Sequence, residues 1–429
     1  MGQKMRGKSV EDYQSRLIDR QLDLLLKELP AVLLDGPKAV GKTTTATQRA
    51  NTLWAMDTPE ARFVQDNDPL ALTSGAKPIL VDEWHRAPSV WDTIKRAVDA
   101  DPTPGRFLLT GSLPSAGTHS GAGRITSLRM RPLSLQERGT PPPTVSLGAL
   151  LEGRAEAITG NSSMTFADYC DEMGRSGFPG LRHLSAFARE QALEGYIERI
   201  IDSDLPEMGL RVKRPATMRA WLTSYAAATA TTASWETIRD AANTGSTNAP
   251  SKVTVMPYRD ALTRLRILDE LPAWLPGGND FSRVGQSPKH FLADPALALR
   301  LLGHDATQLG ELSRTHTSGS HGPLLGRLFE ALAVLSIRTY AQTNFATTSH
   351  FRDGNGRHEI DVIVQGRNGS VVALEIKLGM TVNDSDFRHL RWLKGHLGDR
   401  LTDMVVVYSG SLAFRKDGIA VVPLALLGA

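Results

Sequence analysis

Residues 31–47 read Ala31-Val32-Leu33-Leu34-Asp35-Gly36-Pro37-Lys38-Ala39-Val40-Gly41-Lys42-Thr43-Thr44-Thr45-Ala46-Thr47, and this stretch decides the fold of the first third of the chain. Residues 31–35 have the length and apolarity of a short buried strand, and residues 42–51 carry the pattern of a helix. Between them, residues 36–43 fit the phosphate-binding pattern G-x-x-x-x-G-K-[ST], in the strand–turn–helix setting that the pattern requires. Glycines let backbone N–H groups converge on phosphate oxygens, and the start of the helix adds partial positive charge. Lys42 is placed to reach β- and γ-phosphates, and the Thr43 hydroxyl to ligate Mg²⁺. A glycine-rich turn that merely joined strand to helix would need no Lys-Thr pair at its end.

Downstream, Ile79-Leu80-Val81-Asp82-Glu83 is an apolar strand ending in two acids. Such a pair is ordinarily a solvated strand end. After a phosphate loop it predicts that Asp82 holds Mg²⁺, directly or through water, and that Glu83 polarises the attacking water. Together the two motifs predict ATP hydrolysis with Lys42 and Glu83 as catalytic residues. A small-molecule kinase, the third reading, has less need of a water-activating Glu beside the metal Asp. The strand at 106–110 ends in Gly111-Ser112, which sets Thr110 or Ser112 to bond the γ-phosphate or the water, or simply to cap the strand. Arg124 is the nearest arginine-finger candidate, in cis or from a neighbouring subunit of a homo-oligomer, with Arg129 and Arg131 competing. The expected nucleotide-binding set is Gly36, Pro37, Lys38, Ala39, Val40, Gly41, Lys42, Thr43, Thr44, Ser112 and Arg124.

Outward from this core, residues 13–29 suit an amphipathic helix that Pro30 stops. Strands are expected near 62–65 and 78–81, and a helix at 91–98. Strands alternating with helices predict a doubly wound parallel sheet. The loop 111–123 and the tract 139–144, with three consecutive prolines, suggest that the first domain ends near residue 160. The reading continues with a helical connector at 161–215 and a winged-helix-like module at 216–310. Three helical patterns there (217–228, 234–243 and 251–267) precede short strands at 268–274 and 290–292. Lys252, Arg259, Arg264 and Arg266 on or near the third helix point to DNA as a partner, although basic residues also solvate ordinary helices.

Residues 311–429 form a third α/β unit, in which Val371-Val372-Ala373-Leu374 runs into Glu375-Ile376-Lys377. Residues two apart on a strand share a face, so Glu375 and Lys377 point together. Asp361 lies on the preceding strand, with the turn 366–370 between. Adjacent strands can then bring Asp361 and Glu375 onto one Mg²⁺ or Mn²⁺, with Lys377 near the reacting phosphate. Glu330 on the preceding helix is a fourth member, and Glu359 an alternative. Acids in such apolar strands need a metal or a base. Lys377 is itself a candidate base, which leaves a structural ion pair as the other reading.

Composition narrows the class. With 429 residues the chain exceeds one growing core. A net charge of +3 does not by itself imply nucleic acid, and Cys170, the only cysteine, rules out an intrachain disulfide and a Cys-based zinc site. The first thirty residues lack the apolar core of a signal peptide, and the charge-free stretch 220–235 is too short and polar to span a bilayer. A cytoplasmic protein without a membrane segment is expected.

Taken together, these residues resemble a widespread prokaryotic family of AAA-type P-loop ATPases with a long-uncharacterised C-terminal half. The resemblance rests on 13–26 with the phosphate loop, Val81-Asp82-Glu83, Leu109-Thr110-Gly111-Ser112, Arg131-Pro132-Leu133-Ser134-Leu135-Gln136-Glu137 and Ser176-Gly177-Phe178-Pro179. It continues through 258–274, 291–295, 322–330, Asp361 and Glu375-x-Lys377. The last unit is similar to the PD-(D/E)XK, restriction-endonuclease-like fold, which implies metal-dependent DNA cleavage at Asp361, Glu375, Lys377 and Glu330. Trp84-His85 departs from the smaller apolar residue and Gln expected there. The competing implication is an NTP-driven switch whose C-terminal half binds DNA or a protein without cutting.

Overall fold

The computed structural model describes residues 3–4, 13–111, 122–154, 157–242, 252–274, 287–305, 308–309, 322–353 and 356–429. The chain divides into two compact units, Met1–Arg131 with Asp260–Ile267, and Pro132–Arg259 with Leu268–Ala429.

In the first unit six strands form one sheet: β1 (Gln3–Lys4), β2 (Ala31–Asp35), β3 (Thr52–Ala55), β4 (Ile79–Asp82), β5 (Phe107–Gly111) and β6 (Thr126–Arg129), in the order β1-β3-β4-β5-β2-β6. All neighbours are parallel except β1 with β3. Alternation along β2 splits the core. Val32 and Leu34 pack with Ile18 and Leu22 of the helix Ile18–Glu28, whereas Ala31 and Leu33 face Trp54, Trp84, Trp91 and Ile94. Covered on both faces, the sheet is the doubly wound arrangement expected.

One expectation fails. Residues 62–65 are helical, inside Pro59–Asn67. Thr58 caps that helix by accepting from Ala61 N, and Pro59 occupies its first turn. The strand lies earlier, at Thr52–Ala55, where buried Thr52 and Trp54 alternate with half-buried neighbours.

The second unit is built on a seven-stranded sheet. Its strands are β9 (Thr347–Arg352), β10 (Glu359–Gln365), β11 (Val371–Lys377), β12 (Leu401–Tyr408), β13 (Leu412–Lys416) and β14 (Ile419–Pro423), with β8 (Gly160–Asn161) on the β13 edge. β9, β10 and β11 run antiparallel, and β11, β12 and β14 run parallel. The apolar helix Gly322–Thr343 is buried along most of its length.

Residues 132–160, grouped with the ATPase on sequence, belong to this second unit. Short β7 (Val145–Ser146) pairs with β15 (Leu427–Gly428) near the C-terminus, and β8 pairs with β13. The segment Ser134–Glu137 closes a capping box, and the Leu135 and Gln136 amides donate to Ser336 and Tyr340 of the long helix. Tertiary hydrogen bonds, invisible to local patterning, set this boundary.

Helices Pro215–Ala227, Trp235–Ala241 and Lys252–Arg264 match the three expected ones, and residues 268–274 and 287–292 form an antiparallel ribbon through Leu268↔Leu292 and Leu271↔Lys289. The ribbon is bound to the large sheet: Ala273 bridges His350 on β9, and Trp274 N donates to His350 O at 2.6 Å. Residues 260–267 at the end of the third helix belong to the first unit, so the module expected over 216–310 is divided between the units.

Trp84, the residue that departs from the family pattern, has room because residue 111 is glycine. A Cβ there would lie 2.7 Å from Trp84 Nε1. Gly111→Ala is expected to lower stability by about 1–3 kcal/mol, read from the urea midpoint. Adding Trp84→Leu should recover part of the loss, and equal destabilisation with and without it would show that the indole is not the obstacle.

Candidate functional site

The phosphate loop leaves β2 at Asp35 and enters the helix Lys42–Thr47. Its backbone needs unusual conformations at Ala39 (φ 62°) and Gly41 (φ 101°), and at Gly36 a Cβ would stand 2.3 Å from Met130 O. Glycine is therefore required at 36 by the neighbouring β6 chain. Lys42 is buried, and its Nζ donates to Gly36 O at 2.9 Å and Pro37 O at 2.7 Å, curling back into the loop. Burial pulls this ammonium down to about 8, against the opposing pull of Glu83, Asp35 and Asp82. A cation held dry by two carbonyls, with three acids in its field, is prepared to exchange those carbonyls for phosphate oxygens.

Thr43 and Asp82, the residues expected to hold Mg²⁺, are directly hydrogen-bonded. Thr43 Oγ donates to Asp82 Oδ1 at 2.8 Å, and the buried Thr110 hydroxyl donates to the same oxygen. Of the alternatives for Thr110, the structure selects a third: it fixes the Asp82 carboxylate from the adjacent strand. Glu83 follows with a left-handed backbone (φ 52°) and lies 3.4 Å from His85. Its carboxyl is raised by burial, opposed by Lys42. Loop glycine, buried ammonium and the Thr43–Asp82 pair fit MgATP. Thr44 lies exposed on the first helical turn. Ser112 falls outside the described residues. Arg124 is an exposed surface residue engaged with Asp99 at 2.7 Å.

Three supports were missed on sequence. Buried Arg16 donates to Val40 O at 3.0 Å and Arg131 O at 2.8 Å, bracing the loop from behind. The Tyr13 hydroxyl bonds Asp19 and Thr45 of the loop helix. Arg266 pairs with Asp35. The tyrosine and arginine ahead of an amphipathic helix were the available signal for the first two.

The C-terminal acids converge as predicted. The register Val362↔Leu374, carried one step along, sets Asp361 opposite Glu375, and Ile376 N donates to Asp361 Oδ2 at 2.8 Å. Their counter-charge is a residue the sequence reading did not consider. Lys289 Nζ lies 2.9 Å from Glu330 Oε1, 2.9 Å from Glu359 Oε1 and 2.8 Å from Asp361 Oδ1, with its side chain only 1% exposed. Glu375 takes Lys377 at 3.1 Å. Burial and the neighbouring Asp361 push Glu330 up to about 8 and raise Glu375 strongly. Burial also acts to raise Asp361, but Lys289 and Lys377 outweigh it and hold that carboxyl down.

This donor set does not fit the expected Mg²⁺ or Mn²⁺ at Glu330, Asp361 and Glu375. Lys289 already takes Glu330 Oε1 and Asp361 Oδ1, and Lys377 takes Glu375 Oε2, while the buried Glu375 Oε1 has no hydrogen-bond partner. Among the described residues no group of three or more His, Cys, Asp or Glu is arranged to hold a metal ion. Lys289 was legible as an anomaly, a lysine inside Pro288-Lys289-His290-Phe291-Leu292, where the ribbon must bury it.

With this geometry in hand, the similarity to known proteins is specific in the N-terminal region. Residues 28–138 match an AAA domain. That match covers the phosphate loop and both strand-end acids. Residues 167–308 match the domain of unknown function DUF8612, and residues 325–427 match DUF4143. Two uncharacterized proteins, from Mycobacterium bovis and Mycobacterium tuberculosis, are each 26% identical over 415 residues, covering 93% of this chain and 81% of theirs. The solved Walker-type ATPase of Pyrococcus abyssi is 16% identical with a TM-score of 0.41, over 69% of this chain and 98% of its own. No described helix is long and apolar enough to cross a membrane.

Removing the buried cation tests the C-terminal cluster. Lys289→Met should cost about 3–5 kcal/mol at pH 7.5, because it strands buried carboxylates without a partner. Those carboxyls then have pKa values above their unfolded values, so stability should return as pH falls toward 5 and the acids protonate. Urea unfolding at the two pH values measures this. An unchanged midpoint at pH 7.5 would show that the ammonium does not hold the acids together.

Proposed function

We propose that this protein is an ATP-driven switch that binds and hydrolyses MgATP at the loop formed by residues 36–43. The observation that carries the reading is Lys42, whose buried ammonium is folded onto Gly36 O and Pro37 O beside a preassembled Thr43–Asp82 pair. Loop amides and Lys42 bind the phosphates, while Thr43 and Asp82 orient around the ion. Mg²⁺ when bound neutralises charge on the phosphoryl group being transferred. Glu83, its proton affinity raised by burial, is placed to orient water and accept its proton. A kinase that excludes water would have no use for that group.

DNA cleavage, implied by the nuclease-like resemblance, is not part of this reading, because the Lys289 ammonium lies against two of the acids that would hold the metal. The argument for a DNA-binding third helix also weakens. Arg259 stacks on Trp235 at 4.0 Å from the ring centroid, and Arg266 is committed to Asp35. Both arginines do intramolecular work.

Purified protein should hydrolyse ATP slowly. Glu83→Gln should still bind the nucleotide but turn over about 10²–10⁴-fold more slowly, and Lys42→Ala should lose binding as charge-assisted bonds of about 1.5–3 kcal/mol each disappear. A wild-type rate in Glu83→Gln would remove that residue from the chemistry.

Binding should also be linked to protons. Burial holds the free Lys42 ammonium down to about 8 and bound phosphates raise it, so above pH 8 nucleotide binding takes up as much as one proton. Calorimetry in buffers of different ionisation heat should show that uptake, together with an affinity that weakens from pH 8 to 9. A pH-independent affinity over this range would mean that the ammonium is not the phosphate contact.

A further inference from the structure

The helix Lys252–Arg264 ends in a turn where Ile267 N donates to Leu262 O at 2.9 Å and Arg266 adopts φ 62°. This left-handed position after a helix is one that glycine usually fills. A long charged residue kept there against that preference points to a task for its side chain. The guanidinium is directed at Asp35, with Nε 2.7 Å and the terminal nitrogen 2.5 Å from Oδ2. Asp35 is the last residue of β2, immediately before Gly36, and its charge acts on Lys42. Arg266 is thus a further cation beside the phosphate loop, delivered by chain from far downstream. The pair is partly open to solvent, with 33% of the Arg266 side chain exposed and 14% of Asp35, so an arriving anion can compete for it.

We propose that Arg266 senses the nucleotide. In the free chain Asp35 holds the guanidinium. A triphosphate in the loop brings several negative charges beside Asp35, which repel that carboxylate and attract Arg266, so the arginine passes from Asp35 to the phosphates. Residues 260–267 move with it, and they are covalently continuous with the second unit at Arg259 and at Leu268. Loading is thereby transmitted along the chain. The inference rests on MgATP binding at residues 36–43, and its test reports that binding separately. Arg266 is a positioning residue in this scheme: its state depends on phosphate charge, which a purely structural Arg–Asp pair would not register.

The test combines nucleotide affinity with hydrogen exchange on the full chain. Arg266→Ala should weaken a non-hydrolysable ATP analogue about tenfold and ADP by less than about twofold, because the terminal phosphate supplies the competing charge. Arg266→Lys should restore only part of the discrimination, lacking the planar fork. Asp35→Asn, which releases the arginine and removes a like charge, should tighten the analogue. In the wild type the analogue should change amide exchange both at 36–47 and at 260–267, and Arg266→Ala should abolish the second change alone. Protection at 36–47 with no change at 260–267, or equal losses of ATP analogue and ADP in Arg266→Ala, would reduce the pair to a structural clasp. No protection at 36–47 would overturn the nucleotide reading and this inference with it.

Discussion

A lysine ammonium buried among three carboxylates is the constraint around which the second unit is organised. Neither partner set could be buried alone, since an unpaired ion in a protein interior costs several kcal/mol. The helix Gly322–Thr343 must therefore present Glu330, the β9–β10–β11 meander must present Glu359 and Asp361, and the ribbon must carry Lys289 to meet them. The ribbon is tied to β9 through Ala273 and His350, which fixes its reach. His350 itself is kept neutral by burial and by the nearby Lys289 charge, its imidazole lowered to about 4. The Lys289 ammonium thus neutralises Glu330, Glu359 and Asp361 from within the fold.

The two candidate sites thus stand in different chemical conditions. At the phosphate loop Asp35, Asp82 and Glu83 all act on Lys42, so an incoming Mg²⁺–phosphate group meets both signs of charge there. At the C-terminal cluster the ion pairs are already closed. Similar residue types, two acids near a lysine, mean activation in one place and neutralisation in the other, and only their mutual distances distinguish the cases.

What could be read from sequence followed the range of the interactions. The loop 36–43 and the acids after β4 are local patterns, and they stand where spacing put them. Asp361 and Glu375 were legible because a short turn makes neighbours of their strands. The role of Lys289 was not, odd as a lysine in that apolar ribbon is, because its partners Glu330 and Asp361 lie 41 and 72 residues away. Arg266 lies 231 residues from Asp35, farther than any motif extends. The strand at Thr52–Ala55 was missed, and the four residues 62–65, read as a strand instead, are drawn into a helix by the Thr58 cap and Pro59 ahead of them.

The discontinuity of the first unit also matters while the chain is being made. Residues 1–131 leave the ribosome without the segment 260–267 that completes them. At roughly 5–20 residues per second, the gap lasts about 6–27 seconds. Through that interval Asp35 has no arginine and the loop beside it is unclasped, while most of the second unit is still unmade. The order of synthesis therefore requires the phosphate-binding half to wait, open, for a piece of chain encoded well past its own end.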